Sequence, residues 1–139
     1  MPKTRETFPH GSDIGIRGIG GDPAQAFEQA GLALTSVITD PARVIAADPV
    51  EISCEAPDQE LLFFDWINAL TYEMSVRRML FSRFEVKIED CRLHARAWGE
   101  RVDVKKHEPA VEVKGATCTQ LRVERGADGA WVAQCVVDV

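Results

Sequence analysis

Residues 61–74, with the sequence LLFFDWINALTYEM, decide the fold. Apolar side chains recur in this stretch at every fourth position, a period that is typical of the buried face of a helix. The ridge consists of Leu62, Trp66, Leu70 and Met74, and Phe63 and Ile67 widen it. Asp58 precedes the stretch and belongs to the residue types that cap helix N-termini. We therefore predict a deeply buried helix that starts after Asp58.

A second amphipathic helix is predicted upstream, where Asp22 supplies a capping side chain and Pro23 takes the first helical position. Apolar residues then recur at spacings of three and four until Asp40 and Pro41 end the pattern. They are Phe27, Ala30, Leu34, Val37 and Ile38. The glycine-rich residues 16–23, IRGIGGDP, are predicted to form a loop. Because this segment lacks the glycine spacing of dinucleotide-binding and phosphate-binding loops, we exclude nucleotide binding.

The hydrophobic period changes to two after the second helix. Residues 84–88 and 93–97 alternate apolar and polar side chains, which predicts a β-hairpin. Residues 111–124 are rich in strand-forming types, and residues 126–129 contain an Asp-Gly turn signal. Residues 131–139 are predicted to form a terminal strand with Trp131, Ala133, Cys135 and Val137 on one face. Two helices and six or seven strands predict an α+β two-layer sandwich, with the helices packed on a mostly antiparallel or mixed sheet.

The composition is that of an ordinary globular domain. The chain has 139 residues, of which 45% are hydrophobic and 27% charged, so we expect residues 1–139 to form a single domain. Its net charge of −6 repels nucleic-acid phosphates, and we expect no direct nucleic-acid binding. No apolar stretch approaches the roughly 20 residues that cross a bilayer, and residues 1–17 lack the apolar region of a signal peptide. These features predict a cytoplasmic protein without membrane contact.

Side chains suited to zinc binding or nucleophilic catalysis are dispersed along the chain. The cysteines form no CxxC pair, the histidines form no HxxxH or HxH pair, and no serine lies in a GxSxG setting. The cysteines and histidines are Cys54, Cys91, Cys118, Cys135, His10, His94 and His107. We predict small buried thiols rather than disulfides, and we find no candidate nucleophile.

Two carboxylates stand beside apolar residues, where solvation alone explains them poorly. Asp13 precedes Ile14, and Asp138 lies among the valines of the C-terminal segment. Residue chemistry alone favours a turn cap for Asp13 and a solvent-facing strand edge for Asp138. A functional role for both is the alternative, and spacing does not decide between the two interpretations.

Five segments taken together resemble the archease family in order and spacing over nearly the whole chain. The patterns are H-x-x-D-[IV]-G, L-L-x-x-x-W-[IL]-N, G-E-x-x-D…K-H-E…V-K-x-A-T and a terminal D-[IV]. The segments are HGSDIGIRGIG (10–20), DPAQAFEQAGLAL (22–34), ELLFFDWINALTYE (60–73), GERVDVKKHEPAVEVKGAT (99–117) and WVAQCVVDV (131–139). The residues Gly11, Ser12, Gly115 and Cys118 differ from those that are commoner in the family at these positions. Asp13 and Asp138 match the family motifs.

The resemblance implies that the chain assists an enzyme. Archeases are small acidic cytosolic proteins that assist RtcB-type RNA ligases, which are manganese- and GTP-dependent enzymes of tRNA splicing and RNA repair. They promote guanylylation and multiple turnover of the ligase and are not ligases themselves. The resemblance therefore implies a non-catalytic activator. Two alternatives stay open: a chaperone-like interaction module for tRNA-modifying proteins, and a small metal-dependent hydrolase, for which the sequence supplies no evident base. The sequence does not indicate an oligomeric state.

The resemblance also implies a site. The family's divalent-cation ligands correspond to Asp13, Asp138 and Val139, and its essential lysine corresponds to Lys114. His10 is the motif histidine, and we expect it to act with Lys114 in partner activation. An all-oxygen ligand set suits calcium first, with magnesium or manganese as alternatives, and does not suit zinc. Val139 could contribute a carbonyl oxygen or a terminal carboxylate, and both options stay open.

Overall fold

Both predicted helix starts are confirmed in the computed structural model, which describes residues 2–139. The side chain of Asp22 accepts the backbone N–H of Gln25 at 2.8 Å. The side chain of Asp58 accepts that of Leu61, also at 2.8 Å. The helices are α1 (Pro23–Ile38), α2 (Gln59–Arg77) and the one-turn α3 (Val104–His107), with a 3-10 turn at Pro41–Arg43. No helix within residues 2–139 combines the length and apolar content needed to cross a membrane.

The α+β class is confirmed, and its strands divide into two antiparallel sheets. Within residues 2–139 the strands are β1 (Thr4–His10), β2 (Asp13–Gly20), β3 (Asp48–Glu55), β4 (Met79–Glu89), β5 (Arg92–Arg101), β6 (Gly115–Ala116), β7 (Arg122–Arg125) and β8 (Trp131–Asp138). The first sheet has the order β1-β2-β8-β6, and β7 also pairs with β8. The second sheet has the order β3-β5-β4. The periodicity of the sequence does not reveal this division.

The predicted hairpin and terminal strand are confirmed. β4 and β5 pair over nearly their full lengths, and Asp90 and Cys91 turn the chain with left-handed φ angles of 51° and 58°. β8 places Ala133 and Cys135 in the core as expected. Its opposite face is also buried, because Gln134 has no exposed surface. β8 is therefore a central strand covered on both sides.

The predicted loop at residues 16–23 is wrong for residues 16–20, which belong to β2, and only residues 21 and 22 connect β2 to α1. The glycines allow a close contact between β2 and α1. A Cβ atom on Gly18 would lie 1.9 Å from the carbonyl oxygen of Ala26, and one on Gly20 would lie 2.5 Å from the Cβ of Gln25. Glycine here permits helix-on-strand packing that any side chain would block.

Two further expectations need correction. Within residues 111–124 only residues 115–116 and 122–124 are in strands, because this stretch is held mainly by separate contacts to β8 and α2 rather than by a continuous ladder. The prediction of buried thiols holds for Cys135 and is wrong for Cys118, which is exposed beside the end of β6. The four cysteines are free, and burial raises the pKa of Cys135 to about 12.

The core forms where α1 and α2 meet both sheets. The hydroxyl of Thr35 on α1 donates to the carbonyl of Phe81 on β4 at 2.7 Å. The indole of Trp66 on α2 is fully buried, and its N–H donates to the carbonyl of Phe27 at 3.0 Å. The same ring meets Phe84 edge-to-face, with centroids 6.1 Å apart. Trp66 thus joins α2 to α1 and to β4, and this contact closes the core.

Replacement of Trp66 by alanine should lower the free energy of unfolding by about 3–5 kcal/mol, because it leaves a cavity and removes the hydrogen bond from the indole to the carbonyl of Phe27. The control is Trp98→Ala, which removes a half-buried ring that stacks on Arg83 and should cost about 1–2 kcal/mol, from the cation–π contact and the partial burial of the ring. Urea unfolding followed by circular dichroism measures both. Equal losses for the two tryptophans would show that Trp66 does not close the core.

Gly18→Ala tests the contact between β2 and α1. The added methyl group would collide with backbone atoms of Ala26 and Ala30, so we expect a loss of about 3 kcal/mol or more, the upper end for overpacking. At Gly126 a Cβ atom would lie 3.0 Å from a movable side-chain oxygen, and Gly126→Ala should cost about 1 kcal/mol or less. Thermal unfolding compares the variants. A Gly18→Ala protein as stable as the wild type would contradict the close approach.

Candidate metal centre and the segment that holds it

Asp13 and Asp138 lie at the same end of the first sheet. The antiparallel register pairs Ile14 with Val137, and one further step places Asp13 opposite Asp138. The Oδ1 atom of Asp13 accepts a long hydrogen bond, 3.4 Å, from the backbone N–H of Val139. Residues from opposite ends of the chain thus meet through the pairing of β2 with β8.

His10 lies beside this pair. The β1–β2 hairpin aligns His10 with Asp13, and residues 11–12 form the turn. Gly11 has a φ of 59°, a left-handed conformation that glycine adopts without strain. The imidazole of His10 is half-buried and makes no hydrogen bond to the described part of the chain. The hairpin therefore places His10 at the site and leaves its ring nitrogens available.

Lys114 reaches the same end of the sheet through its backbone. Its N–H donates to the carbonyl of Asp138 at 2.8 Å, and the next residue, Gly115, pairs with Asp138 in β6. The N–H of Ala116 donates to Oδ1 of Asn68 on α2 at 2.9 Å. Asn68 thereby fixes β6 and the position of Lys114. Sequence reasoning assigned no role to Asn68, although its amide in an otherwise apolar motif was the available signal.

A buried histidine holds the segment that leads to Lys114. Nδ1 of His107 accepts the backbone N–H of Asp103 at 2.9 Å, so this nitrogen carries no proton. Nε2 therefore carries the proton of the neutral ring and donates to Glu100 at 3.0 Å. The carbonyl of His107 also accepts the hydroxyl of Thr39, and the N–H of Ala110 donates to the carbonyl of Ile38. These contacts attach the segment to the end of α1.

Glu100 is the acceptor at the centre of this arrangement. Its Oε2 atom accepts the backbone N–H of Ile45 at 2.9 Å, the Lys106 ammonium at 2.6 Å and His107. These hydrogen bonds, with that from Ile45 the largest contribution, lower the pKa of Glu100 to about 2. The ionised carboxylate is therefore the form that the fold requires.

The donor chemistry at the sheet end fits a hard divalent cation. Asp138 is exposed, Asp13 is half-buried, and the Asp138 carboxylate makes no hydrogen bond within residues 2–139. The described chain contains no group of three or more His, Cys, Asp or Glu side chains placed to hold a metal. Two carboxylates would need main-chain oxygens and water to complete a shell. Calcium and magnesium accept such oxygen ligands, whereas structural zinc sites use nitrogen and sulfur.

Comparisons with known proteins agree with this architecture. The model of the Archease protein family (MTH1598/TM1083) matches residues 6–139. Protein archease from Pyrococcus abyssi is 38% identical over 141 residues, covering 99% of this chain and 99% of the relative. Protein archease from Methanosarcina barkeri is 34% identical and covers 99% and 97%. The solution structure of Methanobacterium thermoautotrophicum protein 1598 superposes with a TM-score of 0.78 at 35% identity, covering 97% and 98% of the two chains.

Glu100→Gln should change how stability depends on pH. A carboxyl group whose pKa is lowered from 4.5 to about 2 stabilises the fold fully above its ordinary pKa, and this stabilisation is lost as the pH falls toward the lowered value. The variant should be less stable than the wild type at about pH 6, and the difference should narrow below about pH 4.5. Urea titrations at successive pH values measure it, with exposed Glu60→Gln as the control. A difference that is constant with pH would contradict the role of the carboxylate.

Proposed function

The chain belongs to the archease family, and on this basis we propose that it is a non-catalytic, divalent-metal-binding activator of an RtcB-type RNA ligase. In this role it promotes guanylylation and multiple turnover of the ligase in the cytoplasm, without binding nucleic acid itself. One observation carries the proposal: main-chain pairing gathers Asp13, Asp138, Val139 and Lys114 at one end of the first sheet. Asp13, Lys114 and the adjacent pair Asp138 and Val139 come from three separate parts of the sequence, and they are the residues that the family resemblance implies.

The two carboxylates at this end of the sheet favour the binding of a cation. Like charges at opposed positions of neighbouring strands repel each other and destabilise the pair. A bound divalent ion would neutralise Asp13 and Asp138 and fix their orientation. We propose that their carboxylates and a main-chain or terminal oxygen of Val139 hold calcium, with magnesium or manganese as alternatives, and that water completes the shell. The ion would present a fixed charge pattern to the partner.

Lys114 and His10 supply the groups that act on the partner. The backbone of Lys114 is hydrogen-bonded to Asp138, and Asn68 is hydrogen-bonded to the strand that follows. The exposed side chain of Lys114 therefore extends into solvent from a fixed backbone position. The imidazole of His10 stands on the neighbouring hairpin. An enzyme that uses GTP, RNA and metal ions must carry a cationic site, and an acidic protein of net charge −6 is attracted to it. We propose that this sheet end enters the ligase site.

Charge removal at the metal centre provides the test. Asp13→Asn and Asp138→Asn should keep the fold and weaken calcium binding at least about tenfold in calorimetry, because each replaces a charged carboxylate ligand by a neutral amide. Both variants, and Lys114→Ala, should lose most stimulation of guanylylation of the cognate ligase. Lys114→Ala should keep its calcium affinity. The controls are Asp48→Asn and Lys87→Ala, which change exposed residues of the second sheet.

Three results would contradict the proposal in different ways. The proposed site would have no part in activation if three folded variants stimulate the ligase as strongly as the wild type does. These variants are Asp13→Asn, Asp138→Asn and Lys114→Ala. Phosphomonoester hydrolysis by the purified chain, abolished by Asp13→Asn, would support the metal-dependent hydrolase. A wild-type chain that neither binds nor stimulates the ligase, yet binds tRNA-modifying proteins, would support the chaperone-like module.

A further inference from the structure

A groove runs between the C-terminal half of α2 and residues 102–113. Its cavity is about 460 Å³, within the range of pockets that bind ligands. Apolar side chains form its walls, with Met74 and Met79 on one side and Val102 and Val111 on the other. The groove is thus an apolar surface with no described element covering it.

Two exposed apolar side chains lie at this groove and the cavity beside it. Within residues 2–139 five large apolar side chains are exposed, and of these Val104 lines the groove and Tyr72 lines the adjoining cavity. Val104 is 71% exposed and Tyr72 is 63% exposed. Scattered apolar residues on a surface are normal, whereas a cluster beside an apolar groove indicates an interaction surface.

The groove continues to the proposed metal centre. A second cavity is lined by Tyr72 and Lys114, and it shares Thr71, Ser75, Glu112 and Val113 with the first. A segment bound in the first cavity could therefore extend through the second cavity to Lys114. This continuity connects the groove with the surface that we propose for the ligase.

The rim of the groove carries positive charge without internal partners. Arg78 and Arg101 line the cavity, and neither forms an ion pair within the described part of the chain. The neighbouring Arg77 and Lys106 are paired with Glu73 and Glu100. One carboxylate, that of Glu112, also lines the cavity, so the two arginines leave the lining with a net positive charge in a chain whose net charge is −6. Guanidinium groups pair with carboxylates through paired hydrogen bonds.

We propose that this groove binds an acidic, amphipathic segment of a partner protein, with its apolar side chains in the groove and its carboxylates on Arg78 and Arg101. Such segments bind as helices that place apolar anchors at every third or fourth residue. The inference goes beyond the proposed function, because it concerns a surface outside the metal centre; it rests on that function only for the expectation that the ligase could supply the segment. The apolar walls favour a protein segment over a nucleic-acid strand, since a strand would need a continuous row of cations.

The test uses defined peptides. A labelled helical peptide with leucine at every third and fourth position and glutamate elsewhere is compared, by fluorescence anisotropy, with the same peptide carrying lysine for glutamate. The full chain should bind the acidic peptide at least about tenfold more tightly than the basic one, and added salt should reduce the difference. Val104→Asp, which replaces an apolar wall residue by a negative charge, and Arg101→Glu should each weaken binding of the acidic peptide at least about tenfold.

The matched controls change the same residue types elsewhere. Leu61→Asp alters an exposed leucine at the opposite end of α2, and Arg5→Glu alters an exposed arginine of β1. Both should leave peptide binding unchanged. Calcium affinity should stay at the wild-type value in Val104→Asp and Arg101→Glu, so a loss of peptide binding can be distinguished from a loss of the metal centre.

Four outcomes would overturn the proposal. Absence of binding to the acidic peptide, or equal binding to both peptides, would show that Arg78 and Arg101 do not select an acidic segment. Binding unaffected by Val104→Asp and Arg101→Glu would place the peptide elsewhere. Competition by a single-stranded RNA oligonucleotide, but not by unlabelled acidic peptide, would identify a nucleic-acid surface. Sedimentation that shows a dimer of the full chain, dissociated by Arg101→Glu, would identify a second copy as the occupant.

Discussion

The pairing of β8 on both of its edges is the interaction on which the rest of the structure depends. β2 occupies one edge, and β6 and β7 share the other. Side chains alternate between the two faces of a strand, so a slip of one residue would move Ala133 and Cys135 out of the core. Burial therefore fixes the register, and the register places Asp138 opposite Asp13. The geometry of the candidate site is a consequence of hydrophobic packing several residues away.

Helix α2 connects stability with the site. Trp66 and Asn68 are two positions apart, which separates their directions by about 200° around the helix. Trp66 bonds to α1 and packs against β4, whereas Asn68 bonds to β6 beside Lys114. A displacement of α2 in the core would therefore also displace the strand that carries Lys114. Substitutions that loosen the core should be compared with site variants only after their folded fraction is known.

Local signals in the sequence predict a large part of this fold, and long-range contacts account for what they miss. The caps at Asp22 and Asp58 and the hairpin turn at Cys91 depend on neighbouring residues, and the pattern reveals them. The strand through Gly18 is missed because glycine favours loops locally, and only the approach of α1 explains it. The proximity of Asp13 to Asp138 is likewise a property of strand pairing. Residue chemistry alone favoured separate structural roles for the two carboxylates, and only the resemblance to a family assigned them to one site.

Charge is divided unevenly over the molecule, and this division bears on how a partner could bind. The end of the first sheet presents two carboxylates beside Lys114, whereas the adjoining groove presents Arg78 and Arg101. A partner that matches both surfaces needs a cationic site next to an acidic, apolar segment. Complementary charges of both signs define orientation better than one sign alone, since a reversed approach brings like charges together. The arrangement therefore favours a single docking orientation with Lys114 at the boundary between the two surfaces.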